Sequence, residues 1–292
     1  MQQIVGGYSH ECTSQQVYSG DVAAAVLSTN TGKKTPKSIL IVDKKNVSVS
    51  GSSSLERLVP DHVVSGESTG ETTLELHIAR YEWAATAIRN DVYVLKTLDA
   101  ACGVGYGSAI LGSCKAGVEV TGVDIDAAAI SYASERYSSA AVNFLHSDIS
   151  ELEEHSGFDA IISLETIEHV VNPVATINDF RKLLRQHGLF IVSVPVTPSV
   201  DVNPYHLTDF SASSIRNMLA SAGFEILDEL LQIQTFNPIK ILSKQESRVE
   251  DIRDKLLWYY MENPFAGVKR VYATLRFGFS NRYLTLVCRK LN

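Results

Sequence analysis

Beyond residue 72 the chain alternates between apolar residues at helical spacing and short apolar runs. From Thr72 to Arg89, Leu74, Ile78, Tyr81 and Ala85 recur on one helical face, with His77 and Arg80 beside them. Val94-Leu95-Lys96-Thr97-Leu98-Asp99 is a mostly apolar run that ends in an acid and opens into Ala100-Ala101-Cys102-Gly103-Val104-Gly105-Tyr106-Gly107. A short helical pattern leads to a second run, Val118 to Asp126, also ending in acids. A helix follows over Ala128 to Tyr137, then strands at Val142 to Leu145 and Phe158 to Leu164. The last of these is apolar throughout, as a parallel strand covered on both faces requires. Gly188 to Val194 is a fifth strand and Phe224 to Ile233 a sixth. Between them Ser211 or Ser213 caps a helix that Gly223 ends. Tyr283 to Cys288 is a final strand. This alternation predicts an α/β fold, a doubly wound sheet that takes ligands at the carboxyl ends of its strands.

Two segments stand apart. Residues 1–55 are rich in Ser, Thr, Gly and Val and read as a small β-rich extension, with Thr29-Asn30-Thr31-Gly32 as a turn and Gly51-Ser52-Ser53-Ser54 as its boundary. It carries no chemical motif, and packing or an oligomer contact is the role expected of it. Residues 56–292 are the α/β domain, with a helical insertion near 245–262 that holds Trp258-Tyr259-Tyr260. That aromatic cluster suits either a pocket wall or a dimer face.

Composition changes the picture little. The chain has 292 residues, 45 % of them apolar, enough for a sizeable core. A net charge of −7 supplies no global basic field for nucleic acid or an anionic membrane. Basic residues gather at Lys33, Lys34, Lys37, Lys44 and Lys45 and again from Lys269 to Arg289, and both groups read as solvated faces. Cys12, Cys102, Cys114 and Cys288 lack C-x-x-C spacing, which suits reduced thiols in a cytoplasmic setting. No signal peptide or membrane-spanning run is visible.

The glycine-rich turn is the first candidate site. Gly103 and Gly105 can take positive φ and keep a Cβ from standing between backbone and ligand. A flat adenosine-type ligand would lie against the turn, with Asp124 at the tip of the second strand accepting the ribose hydroxyls. The dinucleotide fingerprint needs a glycine at 108, where Ser108 stands. The pattern D-x-x-x-G-x-G-x-G, led by Asp99, resembles the S-adenosylmethionine loop of class I methyltransferases. That resemblance implies a seven-stranded sheet whose last strand is antiparallel. It also implies cofactor contacts from Asp99, Ala101, Gly103, Gly105, Asp124, Ile125, Asp148, Ile149 and Leu164. Asp148 suits the adenine amino group or, alternatively, the cap of the turn leading to Glu151. The helix before the first strand lies over the cofactor in such enzymes. Its segment Glu75 to Tyr81, with Glu56-Arg57-Leu58-Val59-Pro60, resembles bacterial sugar and O-antigen methyltransferases. Arg80 and Tyr81 then border the substrate, or else form a half-buried face with a snorkelling arginine.

The second candidate is Glu165-Thr166-Ile167-Glu168-His169, just past the fourth strand. If helical, Glu165, Glu168 and His169 share one face, and the crowded carboxylates call for a cation or a proton. This E-x-x-E-H resembles the metal-binding turn of ubiquinone-pathway catechol O-methyltransferases and of small-RNA 3′-terminal 2′-O-methyltransferases. The RNA group adds a histidine from the loop after the fifth strand, here His206 in Asn203-Pro204-Tyr205-His206. The resemblance points to Mg²⁺, whereas two imidazoles would suit Mn²⁺, Fe²⁺ or Zn²⁺ better. The metal-free alternative makes His169 a lone general base.

Together these features predict an S-adenosylmethionine-dependent O-methyltransferase for a sugar, glycan or other vicinal-diol small molecule. His169 and His206 are its candidate catalytic residues. The rivals are an RNA 3′-end methyltransferase, against which the acidic balance argues, and a non-catalytic cofactor-binding interaction protein.

Overall fold

The computed structural model describes residues 68–152, 157–200, 203, 205–237, 239 and 256–292. All of these belong to one compact unit, Val49–Asn292. The β-rich extension expected over residues 1–55, the Glu56–Pro60 segment and the first part of the insertion, residues 245–255, lie outside the described residues.

Helix α1 (Ser68–Asn90) precedes β1 (Lys96–Ala100), α2 (Tyr106–Gly112), β2 (Glu119–Asp124), α3 (Ala127–Tyr137) and β3 (Val142–His146). Then come β4 (Phe158–Leu164), α4 (Pro173–Leu183), β5 (Leu184–Pro195), α5 (Ala212–Ser221) and β6 (Phe224–Thr235). Helices α6 (Leu256–Glu262) and α7 (Pro264–Phe277) lead into β7 (Ser280–Lys290). The sheet has seven strands in the order β3-β2-β1-β4-β5-β7-β6. Strands β1 to β5 pair in parallel, and β7 runs antiparallel between β5 and β6. The expected fold class is therefore the observed one. Helices α4 and α7 are not foreseen by the apolar pattern of the sequence.

The period of two along each strand divides the core. Ile162 and Ile191 join Ile88, Leu111 and Val120 on the face covered by α1 and α2. Their chain neighbours Ile161 and Phe190 join Phe180, Ile215 and Leu286 on the opposite face, under α4 and α5. Both faces are covered, which is why β4 carries apolar residues at successive positions. Asn172 caps α4, its side chain accepting from Ala175 N–H, and Ser211 forms a capping box with Ser214 at α5. Gly223 turns the chain out of α5 at φ 80°.

Strand order reverses between β1 and β4, the switch point at which a sheet of this kind has its ligand crevice, at the carboxyl ends of the strands. The residues just past both ends are strained. Ala101 follows β1 at φ 59° and Glu165 follows β4 at φ 53°. Non-glycine residues at positive φ cost on the order of 1–3 kcal/mol and concentrate at functional sites.

Candidate active site

On the β1–β2 side the geometry is local. Gly103 N–H donates to Asp124 Oδ2 at 2.9 Å, and Asp126 N–H donates to Asp124 Oδ1 at 2.9 Å. One carboxylate thus ties the glycine turn to the tip of β2. A Cβ placed on Gly103, at φ 56°, would meet nothing within 4 Å. This is the open side on which a flat ligand can rest. Gly105 is different: at φ 85° its Cβ would stand 2.6 Å from Ala133 and 2.7 Å from the Phe144 ring. Gly107 would meet the Tyr81 ring at 2.0 Å. Those two glycines serve helix packing, so the close-approach argument holds for Gly103 and not for Gly105.

Asp99 is fully buried, and its carboxylate accepts from Tyr81 OH at 3.1 Å and Ser108 Oγ at 2.6 Å. Burial pushes its carboxyl up to about 7, against the lowering effect of those hydrogen bonds. Ser108 occupies the position that a dinucleotide fingerprint gives to glycine, and here its hydroxyl holds the leading acid. Tyr81 also meets His77 and Tyr106 edge-on, at centroid distances of 5.5 and 6.0 Å. Tyr106 OH and His77 Nδ1 are 2.5 Å apart. Ile125 is 59 % exposed beside Asp124, an apolar surface at the strand tip. Asp148 caps a 3₁₀ turn at Ile149–Glu151, accepting from Ser150 N–H at 2.8 Å. Leu164 is buried at the end of β4.

On the β4–β5 side the site is built from distant segments. Ile167–His169 form a 3₁₀ turn, and Glu165 precedes it in the left-handed region. The expected helical face shared by Glu165, Glu168 and His169 does not exist. Instead Glu165 Oε1 pairs with Arg80 Nη1 at 2.8 Å and accepts from Ser193 Oγ at 2.8 Å. Arg80 is 1 % exposed. Its Nε donates to Leu76 O at 3.3 Å, and its guanidinium lies 4.6 Å from the Tyr283 ring centroid. It does not snorkel. Arg80 and Tyr81 are both buried, Arg80 against Glu165 and Tyr81 against Asp99.

Glu168, His169 and His206 do converge. One ligand atom from each lies within 4.8 Å of the other two, and Glu168 is fully buried. Backbone stitching brings His206 over: Leu207 and Thr208 donate their N–H groups to Glu168 O at 2.8 and 3.2 Å. His169 Nδ1 lies 3.0 Å from Tyr205 O. A carbonyl only accepts, so Nδ1 carries the proton and Nε2 keeps its lone pair. His206 Nδ1 is 2.6 Å from Ser199 Oγ, and the two imidazoles meet edge-on at 4.8 Å. Burial first, then the neighbouring His169, pushes His206 down to about 4. A neutral imidazole is the form a metal needs, and fixing one ring nitrogen on a protein group is how ligating histidines are oriented. One carboxylate and two imidazoles therefore fit a divalent ion such as Mn²⁺ or Zn²⁺ without Glu165. Ser199, Tyr205, Ser193 and Asp209 escaped the sequence reading, because only the folded loop shows what they hold. Asp209 Oδ1 accepts from Ser199 and Val200 N–H and pins that loop.

A doubly wound sheet with an acid-led glycine turn, an acid at the tip of β2 and an antiparallel last strand defines a class I methyltransferase domain. A family model described as a methyltransferase domain matches residues 94–251, more than half of the chain, and the chain belongs to that family. It is 30 % identical over 140 residues to a protein named a probable S-adenosylmethionine-dependent methyltransferase from Mycolicibacterium smegmatis, covering 46 % of this chain and 53 % of that protein. It is 31 % identical over 175 residues to phosphoethanolamine N-methyltransferase 1 of Arabidopsis thaliana, covering 56 % of this chain and 35 % of that one. The chain thus spans about half, or less, of the length of these relatives. Among solved structures, magnesium protoporphyrin IX methyltransferase from Synechocystis, with bound S-adenosylmethionine, matches at TM-score 0.52 and 18 % identity, over 80 % of this chain and 88 % of that one. At that identity the likeness speaks for the fold alone. Among the described residues no helix is long and apolar enough to cross a membrane.

Proposed function

We propose that this protein is an S-adenosylmethionine-dependent O-methyltransferase that acts on a hydroxyl of a sugar, glycan or other vicinal-diol small molecule with the help of a divalent metal. One observation carries the finer part of this reading: Glu168, His169 and His206 offer ligand atoms within 4.8 Å of one another at the crevice edge of a methyltransferase domain. Gly103 and Asp124 would hold the nucleoside half of the donor, and Asp99 its amino-acid half.

When bound, the donor supplies an electrophilic methyl group and the metal supplies Lewis acidity that makes a coordinated hydroxyl more acidic. The protein contributes position first, since alignment of two reactants is worth roughly 7–11 kcal/mol. Glu168 and His169 Nε2, with His206, fix the acceptor side relative to the glycine turn. The strained backbone of Ala101 and Glu165 shapes the floor between the two sides. A proton must leave the acceptor hydroxyl, and an imidazole can take it only where its Nε2 is not engaged by metal, because Nδ1 of His169 already carries a proton toward Tyr205 O. Asp99, with its carboxyl near 7, sits behind the donor side and takes no part in that transfer.

The test is methyl transfer from labelled S-adenosylmethionine over a panel of nucleotide sugars, catechols, phosphoethanolamine and short RNAs. Phosphoethanolamine belongs there because of the relatives named for it. Methylation of a diol that stops with chelator and returns with Mn²⁺ or Mg²⁺ supports the reading. Turnover that survives exhaustive chelation removes the metal and leaves His169 as a general base. Methylation of the amine alone overturns the choice of oxygen.

A further inference from the structure

Helix α7 is turned inside out relative to a core helix. The residues it presents to the body of the domain include Ala266, Ala273 and Thr274, and of these only Ala273 is buried. Its large apolar side chains point to solvent: Phe265 is 89 % exposed, Leu275 82 % and Val268 68 %, with Val271 and Tyr272 between them. At about 100° per residue these five fall within an arc of roughly 120°. Lys269 and Arg276 lie along one border of that arc, and both are exposed. Trp258 and Met261 extend the apolar surface onto α6, at 58 % and 67 % exposure. Isolated exposed apolar residues are ordinary, but five large ones on one arc of a single helix are not.

Charge indicates the occupant. In a chain of net charge −7, α7 itself carries Lys269, Arg270 and Arg276 and neither Asp nor Glu, with Glu262 the acid at the end of α6. A second copy would bring the same cations against themselves. An apolar arc bordered by cations, with tryptophan and tyrosine among its residues, matches a helix lying in the interface of a negatively charged bilayer. Placement indicates the purpose. The α6–α7 excursion joins the end of β6 to the start of β7. Tyr283 near that start pairs with Pro195 at the carboxyl end of β5. Lys269 is ion-paired with Asp209, which pins the loop that carries His206. The exposed face therefore flanks the carboxyl edge on which Glu168, His169 and His206 converge.

We propose that the outer face of α6 and α7 docks on an anionic lipid surface and so sets the methyltransferase site at the membrane boundary, where amphipathic acceptors are presented. The docking does not depend on the proposed chemistry, because it can be read with neither methyl donor nor acceptor present. The experiment is flotation of the full chain with vesicles of phosphatidylcholine alone and of phosphatidylcholine with about one third phosphatidylglycerol. The expected result is binding to the anionic vesicles at least tenfold tighter than to the neutral ones, weakened by raised salt. Phe265→Ser with Leu275→Ser should abolish it, and Arg276→Glu alone should weaken it at least threefold. Both variants change exposed side chains and should keep S-adenosylmethionine affinity and thermal stability. Wild-type protein that stays with the soluble fraction at low salt overturns the proposal. So does equal flotation of the double variant. Concentration-dependent dimerisation that is lost in the double variant, without vesicle binding, would assign the face to a second copy instead.

Discussion

The two sides of the crevice are built in opposite ways. On the β1–β2 side, Asp99, Gly103, Ser108 and Asp124 lie within one β-α-β unit and are held by hydrogen bonds inside it, with Tyr81 of α1 added on Asp99. On the β4–β5 side, Glu165, Glu168, His169 and His206 depend on Arg80 from α1, Ser193 from β5 and a loop stitched by Glu168 O. The first is set by chain connectivity, the second by packing. Ionisation differs in the same sense. A buried carboxyl on one side is pushed up to about 7, and a buried imidazole on the other is pushed down to about 4. Each burial disfavours the charged form. The donor side thus keeps a proton that free aspartate would lose, and the acceptor side refuses one that free histidine would take.

The largest expected effect breaks the packing on which the β4–β5 side depends. Arg80→Ala leaves Glu165 without its cationic partner in a mostly buried setting, and should lower unfolding free energy by about 3–5 kcal/mol. Urea denaturation checks this, and a loss under 1 kcal/mol would mean the pair is not structural. Next comes the glycine that local packing demands. Gly107→Ala puts a Cβ against the Tyr81 ring, and should cost about 1–3 kcal/mol by overpacking. Gly103→Ala meets no atom there and should chiefly show the smaller cost of a positive φ. Equal losses in the two variants would erase the distinction between packing and ligand-facing glycines.

A pH series tests the opposed titrations. His206 has a folded value near 4 against an ordinary 6.5, so the unfolded chain binds more protons between them. Its contribution to stability is complete above about 6.5 and is lost as pH falls toward 4. Allowing for partial exposure, it amounts to about 2 kcal/mol. Asp99 acts with the opposite sign: the folded protein holds its proton longer, so stability falls as pH rises from about 4 to about 7. In chelator, His206→Gln should remove the first slope and expose the second. A variant with the wild-type profile would show that His206 does not titrate as placed.

The smallest effect sharpens the metal set. Glu168→Gln should weaken Mn²⁺ binding at least tenfold, about 1.4 kcal/mol. Glu165→Gln, which belongs to the Arg80 pair, should change it less than threefold, about 0.6 kcal/mol. Calorimetric titration of both variants decides this, and the reverse order would return Glu165 to the metal. On the donor side, Asp124→Ala should weaken S-adenosylmethionine at least tenfold and leave Mn²⁺ unaffected.

What the sequence by itself determined is the part governed by short-range rules. The apolar runs and acid-led glycine turn were enough for the doubly wound sheet, because strand period and turn chemistry act within a few residues. Asp99, Gly103 and Asp124 stand where that reading put them, at strand ends and turn. The tertiary structure alone decided which charged side chains meet. E-x-x-E-H looked like one helical face, but the chain leaves β4 through a left-handed Glu165 and a 3₁₀ turn, and a buried arginine from α1 takes that carboxylate. It also decided where the basic stretch after Lys269 lies. As the sequence reads, Lys269 and Arg276 lie on an exposed face, and the fold adds that large apolar side chains of α7 are turned outward beside them. Pattern reports which residues can share an element, whereas the partner of a charge and the outer side of a helix follow from contacts between segments far apart in the chain.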